Sequence, residues 1–143
     1  MAVQPGVDTR EWEAILAHRP ADQRRTVRDR FLDSGVPVGL VQEVLADGGD
    51  ALYAAAATGR ADWATAFGGP LAAALLAAEV SALAAHLNSR ASAVRAAATN
   101  ALLEDLSAVA VAAHLGVSRQ KVYDLTRGSL SGPYIDVVPW RQP

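Results

Sequence analysis

Apolar positions recur along this chain at steps of three and four, the spacing that gathers them on one face of a helix. Val27, Phe31 and Leu32 mark such a face in a segment that Pro20 opens at a first helical turn and Ser34-Gly35 ends after Asp33. An earlier helix is expected over residues 10–18, with Asp8 or Thr9 as its cap. Val38, Val41, Val44 and Leu45 predict a third over 37–46, stopped by Asp47-Gly48-Gly49. Asp50 is expected to cap a fourth over 51–58, and Trp63 and Phe67 share one side of a fifth over 60–67. No alternation of period two precedes residue 129.

From Pro70 the pattern lengthens. Leu76, Val80, Leu83, Leu87, Ala91, Val94, Ala98 and Leu102 form a heptad-like seam on an alanine-rich helix expected to reach Asp105. Uninterrupted, it would measure roughly 54 Å at about 1.5 Å per residue. Such length with little capping predicts a partner. The seam Leu76, Val80, Leu83, Leu87 and Val94 is expected to join two copies; packing against the N-terminal helices of the same chain is the alternative. Asn88-Ser89-Arg90 is the place for a bend or restart, which would make Ser92–Asp105 the first helix of a three-helix unit.

The punctuation then becomes dense. Ser107 is placed to cap a helix over Ala108–Leu115, and Gly116 to turn the chain in a left-handed conformation that costs other residues roughly 1–2 kcal/mol. Ser118 is placed to cap a second helix over Arg119–Arg127, and Gly128 stands where a C-terminal cap belongs. Val111, Ala112, Leu115, Val117, Val122 and Leu125 supply the apolar set. Ala112 falls where two helices would cross, and a larger residue there would overpack by about 1–3 kcal/mol.

This spacing resembles the helix-turn-helix superfamily of DNA-binding proteins. Ala112, Gly116, Val117, Val122 and Leu125 match its small residue, its glycine four positions on, the hydrophobic residue after it and the two hydrophobics of the second helix. The phrase LGVSRQKVYDL is similar to small bacterial regulators and recombinase tails. The resemblance implies that the second helix enters a major groove. Ser118, Arg119, Gln120 and Tyr123 would then face the bases, with Lys121 and Arg127 toward the flanks. Arg119 suits a bidentate contact to guanine and Gln120 one to adenine, each discriminating by about 1–3 kcal/mol. Tyr123 suits a thymine methyl or a phosphate, while Lys121 and Arg127 suit the backbone. Asp124 is fitted to accept from cytosine or to orient Arg127 or Gln120. Residues 31–45 faintly repeat the spacing, but Phe31 stands where a small residue is required, so a helical hairpin is expected there.

Composition narrows the class. Of 143 residues 51% are hydrophobic, enough for the core of one domain, or of a small domain with an extension. Much of that is alanine, which favours helix and buries little area. The absence of cysteine excludes disulfides and thiolate chemistry. Residues 1–8 have neither a basic start nor an apolar core, so no signal peptide is expected and the location is expected to be cytoplasmic. Lys121 is the only lysine beside twelve arginines, which with the alanine content suggests a bacterial genome of high G+C content. Leu71–Leu87 is interrupted by Glu79, Ser81 and His86, so no membrane span is expected.

The net charge of −2 argues against a generic nucleic-acid coat, but its distribution is polar. Residues 1–32 carry +1, residues 33–85 carry −5 and residues 86–143 carry +2. The DNA-facing end is therefore expected in the last segment. Arg24, Arg25, Arg28 and Arg30 alternate with Asp22, Asp29 and Asp33, which reads as a salt-bridged solvated face; Arg90 and Arg95 are better placed for flanking phosphates. His18, His86 and His114 are scattered, and Glu79 with His86 makes only a two-ligand pair on one helix face. No phosphate loop or nucleophile elbow is present, and the neighbours Glu104 and Asp105 point apart. No enzymatic activity, metal or cofactor is expected.

The expected architecture is all-α: an N-terminal helical platform (1–69), a long connecting and dimerisation helix (70–105), a helix-turn-helix (106–128) and an extended tail (129–143). In the tail, Tyr134–Val138 is the single strand-like run, expected to dock through Trp140; an arm along DNA or a strand pairing with a two-fold mate are alternatives. The expected function is sequence-specific transcription regulation by a homodimer on double-stranded DNA. The alternative is a protein-interaction module, antitoxin-like or an adaptor, whose acidic N-terminal helices bind a protein partner.

Overall fold

The computed structural model of the chain describes residues 5–128, together with 130 and 139. Among them the chain is all-helical, without strands: α1 (Pro5–Ile15), α2 (Ala21–Asp33), α3 (Val38–Ala46), α4 (Asp50–Ala57), a 3-10 turn (Thr65–Phe67), α5 (Pro70–Asp105), α6 (Ala108–Leu115) and α7 (Arg119–Leu125). The run Tyr134–Val138 and Trp140 lie outside the described residues. Contacts gather the described chain into two units, residues 5–85 with Pro139, and residues 86–128 with 130. Helix α5 contributes residues to both.

In the first unit, α1 and α2 meet through stacked rings. Trp12 and Phe31 have centroids 5.8 Å apart and an interplanar angle of 19°. Leu16, Val36, Val41, Val44 and Leu76 complete this core. Burying each such side chain contributes about 1.5–3 kcal/mol.

Specific side chains end the helices. Arg24, expected on a solvated face, closes the segment after α1: its Nε donates to the carbonyls of Leu16 at 3.2 Å and Arg19 at 3.0 Å, and its Nη2 to Ala17 at 3.3 Å. Its ion pair is with Glu13 of α1 at 3.1 Å rather than with Asp22, Asp29 or Asp33; of the expected pairs, Arg28 meets Asp29 at 3.2 Å. The first helix accordingly begins earlier than expected and stops at Ile15, because residues 16–19 turn to present their carbonyls to Arg24.

Helix α4 is capped by Asp47 rather than by Asp50. Gly49, left-handed at φ +80, takes the N-cap position, and the Asp47 carboxylate reaches across to the N–H groups of Gly49, Asp50 and Ala51 at 2.9–3.1 Å. A Cβ on Gly49 would lie 3.1 Å from Val80, so the glycine also permits α4 to start directly against α5. The fifth helix expected over 60–67 is reduced to turns and the 3-10 segment. Left-handed Gly59, Gly68 and Gly69 bracket it. Trp63 and Phe67 still pack against the core.

The long helix has the limits expected for it, but its seam divides. Leu76 and Leu83 are buried in the first unit's own core, and Val80 packs against them. Leu87 and Val94 are exposed, Val94 at 60%. Leu76, Val80 and Leu83 are therefore used within the chain, which corrects the single continuous seam. By length and composition α5 could cross a membrane, yet a third of its most apolar stretch is already buried in the protein.

Among the described residues of this unit, the carboxylate of Glu79 is buried. Glu79 on α5 accepts from His18 Nε2 at 2.5 Å, and from Arg19 Nε and Nη2 at 3.0 Å each. Burial pushes its pKa upward, but the bonds from His18 and Arg19 and the Arg19 charge outweigh that and hold it below the ordinary carboxylate value. The Glu79–His86 pair considered for a metal thus has its carboxylate committed to His18 and Arg19. Among the described residues no group of three metal-ligating side chains comes together.

Candidate nucleic-acid interface

The second unit is built by the end of α5 with α6 and α7. The last bond of α5 runs from Leu106 N to Leu102 O at 2.9 Å. Ser107 then turns to extended backbone, and its hydroxyl accepts from Ala110 N at 3.1 Å, capping α6. Gly116 ends α6 in the left-handed region at φ +68, and Val117 N donates back to Ala112 O at 3.0 Å. Ser118 repeats the device, accepting from Lys121 N at 3.1 Å to cap α7. Both serine caps and the glycine turn therefore lie where the sequence places them. Each cap is worth about 1 kcal/mol.

Between the two helices Val111, Ala112 and Val122 form a small core, joined by Leu103, Ala108 and Val117 at its edge. Leu125 is buried as well, whereas Leu115, expected in the apolar set, is largely exposed. Helix α7 stops at Leu125, short of Arg127, because Thr126 N and Arg127 N bond three residues back, to Tyr123 O and Asp124 O. The Thr126 hydroxyl also donates to Tyr123 O at 2.6 Å.

With Val122 and Leu125 turned inward, Ser118, Arg119, Gln120, Lys121, Tyr123 and Arg127 are all exposed. Arg119, Gln120 and Tyr123 stand at steps of three and four and so share one outward face of α7. Arg127 approaches Asp124 at 3.9 Å, an exposed pair that contributes little to stability. This surface can present a guanidinium, an amide, a phenol and an ammonium to a planar, hydrogen-bonding partner. His114 is exposed on α6, and His18 and His86 are buried elsewhere on the chain.

Asn100 and the α5 alanines that seat this pair of helices carry no distinct mark in the sequence, whereas Gly128, expected as the C-terminal cap, lies beyond the observed cap Thr126. Asn100 Nδ2 donates to Thr126 O at 3.2 Å, at the end of α7. Gly128, with φ +150, lies so close to α5 that a Cβ would stand 3.2 Å from Ala96 Cβ. Ala93 and Ala96 are buried. Their one signal was an Asn four residues after a buried Ala, which has no contrast inside an alanine-rich helix.

No protein-family model, curated protein or solved structure matches the chain.

Proposed function

We propose that this chain is a sequence-specific DNA-binding protein, a transcription regulator whose α6 and α7 form a helix-turn-helix. One observation carries the reading. The packing of Val111, Ala112 and Val122 around the Gly116 turn leaves Arg119, Gln120 and Tyr123 together on the outer face of a capped helix. In this reading α7 enters the major groove, Arg119 and Gln120 read base edges, and Lys121 and Arg127 hold the phosphate backbone. The net +2 of residues 86–143 is too small for strong binding by one copy, so the regulator works as a homodimer. The exposed Leu87 and Val94 are the part of the seam left for pairing.

The test is selection of bound duplexes from a random pool, followed by titration of the selected site. Binding is expected to fall steeply with salt. Arg119→Ala with Gln120→Ala is expected to weaken it by at least about tenfold. Unchanged affinity in the double variant would remove α7 from the groove. Capture of one stoichiometric protein, retained by that variant, would favour a protein-interaction module instead.

A further inference from the structure

The first unit holds an open cavity of about 480 Å³, within the range of about 300–1,000 Å³ common for small-molecule sites. Its volume exists because the lining residues of α5 are small: Ala73, Ala74 and Ala77 stand where larger side chains would fill it. Tyr53 from α4 and Trp63 from the segment before the 3-10 turn bring two aromatic rings to it. Tyr53 is 74% exposed, an unusual amount of ring to leave in water beside an apolar hollow.

The segment that builds the cavity is acidic in sequence. No charged side chain lines it. Asp47 and Asp50 flank the lining Gly48-Gly49, and Asp62 precedes the lining Trp63. The single nearby cation in sequence, Arg60, is paired with Asp62 at 3.3 Å. Residues 33–85 carry a net −5, so an anion would enter an unfavourable field. A positive charge would meet both that field and the electron-rich faces of Tyr53 and Trp63.

We propose that this cavity binds a lipophilic organic cation, an apolar ring system that sits in the hollow with its charge against the Tyr53 and Trp63 rings. The site lies wholly within the first unit, and the proposal does not rest on DNA binding.

The test uses the full chain, free of nucleic acid, titrated with acridine orange, a flat aromatic cation, and followed by dye anisotropy. Saturable binding is expected with a Kd on the order of 10 μM. Ala77→Phe, which fills the cavity from an exposed helix position, is expected to weaken binding at least about tenfold. Tyr53→Ala changes a side chain already in solvent, so it leaves the fold intact; a loss of about threefold to tenfold is expected. The anionic dye anilinonaphthalene sulfonate is expected to bind at least about tenfold more weakly than the cation. Absence of saturable binding, equal binding of the two dyes, or undiminished affinity in Tyr53→Ala would each overturn the proposal.

Discussion

The side-chain amide of Asn100 on α5 donates to the carbonyl of Thr126 at the end of α7, at 3.2 Å, and also to Ala96 O in its own helix at 3.0 Å. It fastens the last turn of a seven-residue helix that is too short to be stable alone. Asn100→Ala is expected to cost about 0.5–1 kcal/mol, the low end for a hydrogen bond, because the freed carbonyl can reach water. Amide exchange should accelerate at the end of α7 and stay unchanged in α2 and α3. Uniform acceleration would mean that the tether is not local.

Ser118→Ala removes the oxygen that accepts from Lys121 N. A loss of about 1 kcal/mol is expected in equilibrium unfolding, and Ser118→Asp should restore most of it. If the proposed groove binding is correct, Ser118→Asp will nevertheless weaken DNA binding, since it adds a negative charge at the helix end that enters a polyanionic groove. Calorimetric unfolding and a duplex titration of both variants separate the two effects.

Val94→Glu places a charge on the exposed part of the α5 seam. If the proposed homodimer pairs through this stripe, light scattering should show a dimer mass falling to that of a monomer, with circular dichroism unchanged. Leu83→Glu should behave differently, because Leu83 belongs to the first unit's core and an unpaired charge there is strongly unfavourable. Loss of helical signal is the expected outcome. A dimer mass that survives Val94→Glu would take this stripe out of the interface.

Acid should weaken the chain through Glu79. Its folded-state pKa lies below the ordinary value, so the stability it contributes is complete above about pH 4.3 and is lost as pH falls through the folded value. Glu79→Gln should be less stable at neutral pH by about 1–3 kcal/mol, the cost of leaving buried donors without their charged acceptor. The partial exposure of Arg19 places the expected loss near the lower limit. The gap between the two proteins should narrow on acidification. A constant gap from pH 7 to pH 3 would show that the carboxylate charge contributes nothing.

Punctuation residues made much of the fold legible. Pro70 opens α5, Ser107 and Gly116 bound α6, and Ser118 caps α7, each where its backbone preference places it. Interactions set by the conformation of the intervening backbone were not legible. Asp50 has the composition of a cap, but the conformation of Gly49 gives the role to Asp47. Arg24 reads as one of several surface arginines until residues 16–19 turn their carbonyls toward it. Along α5 an unbroken period of apolar residues conceals a change of use, since Leu76 and Leu83 are buried in a core and Val94 is exposed among the described residues. Periodicity names a face and is silent on what covers it.

Alanine-rich helices slide easily against their neighbours, because one methyl group packs much like the next. In the first unit Glu79 removes that freedom. Moving α5 by a single turn, about 5.4 Å, would take its carboxylate away from His18 and Arg19 and leave it buried without donors. The polar cluster therefore acts as a register mark, adding the cost of an unpaired buried carboxylate to the displacement of Leu76 and Leu83 from the core.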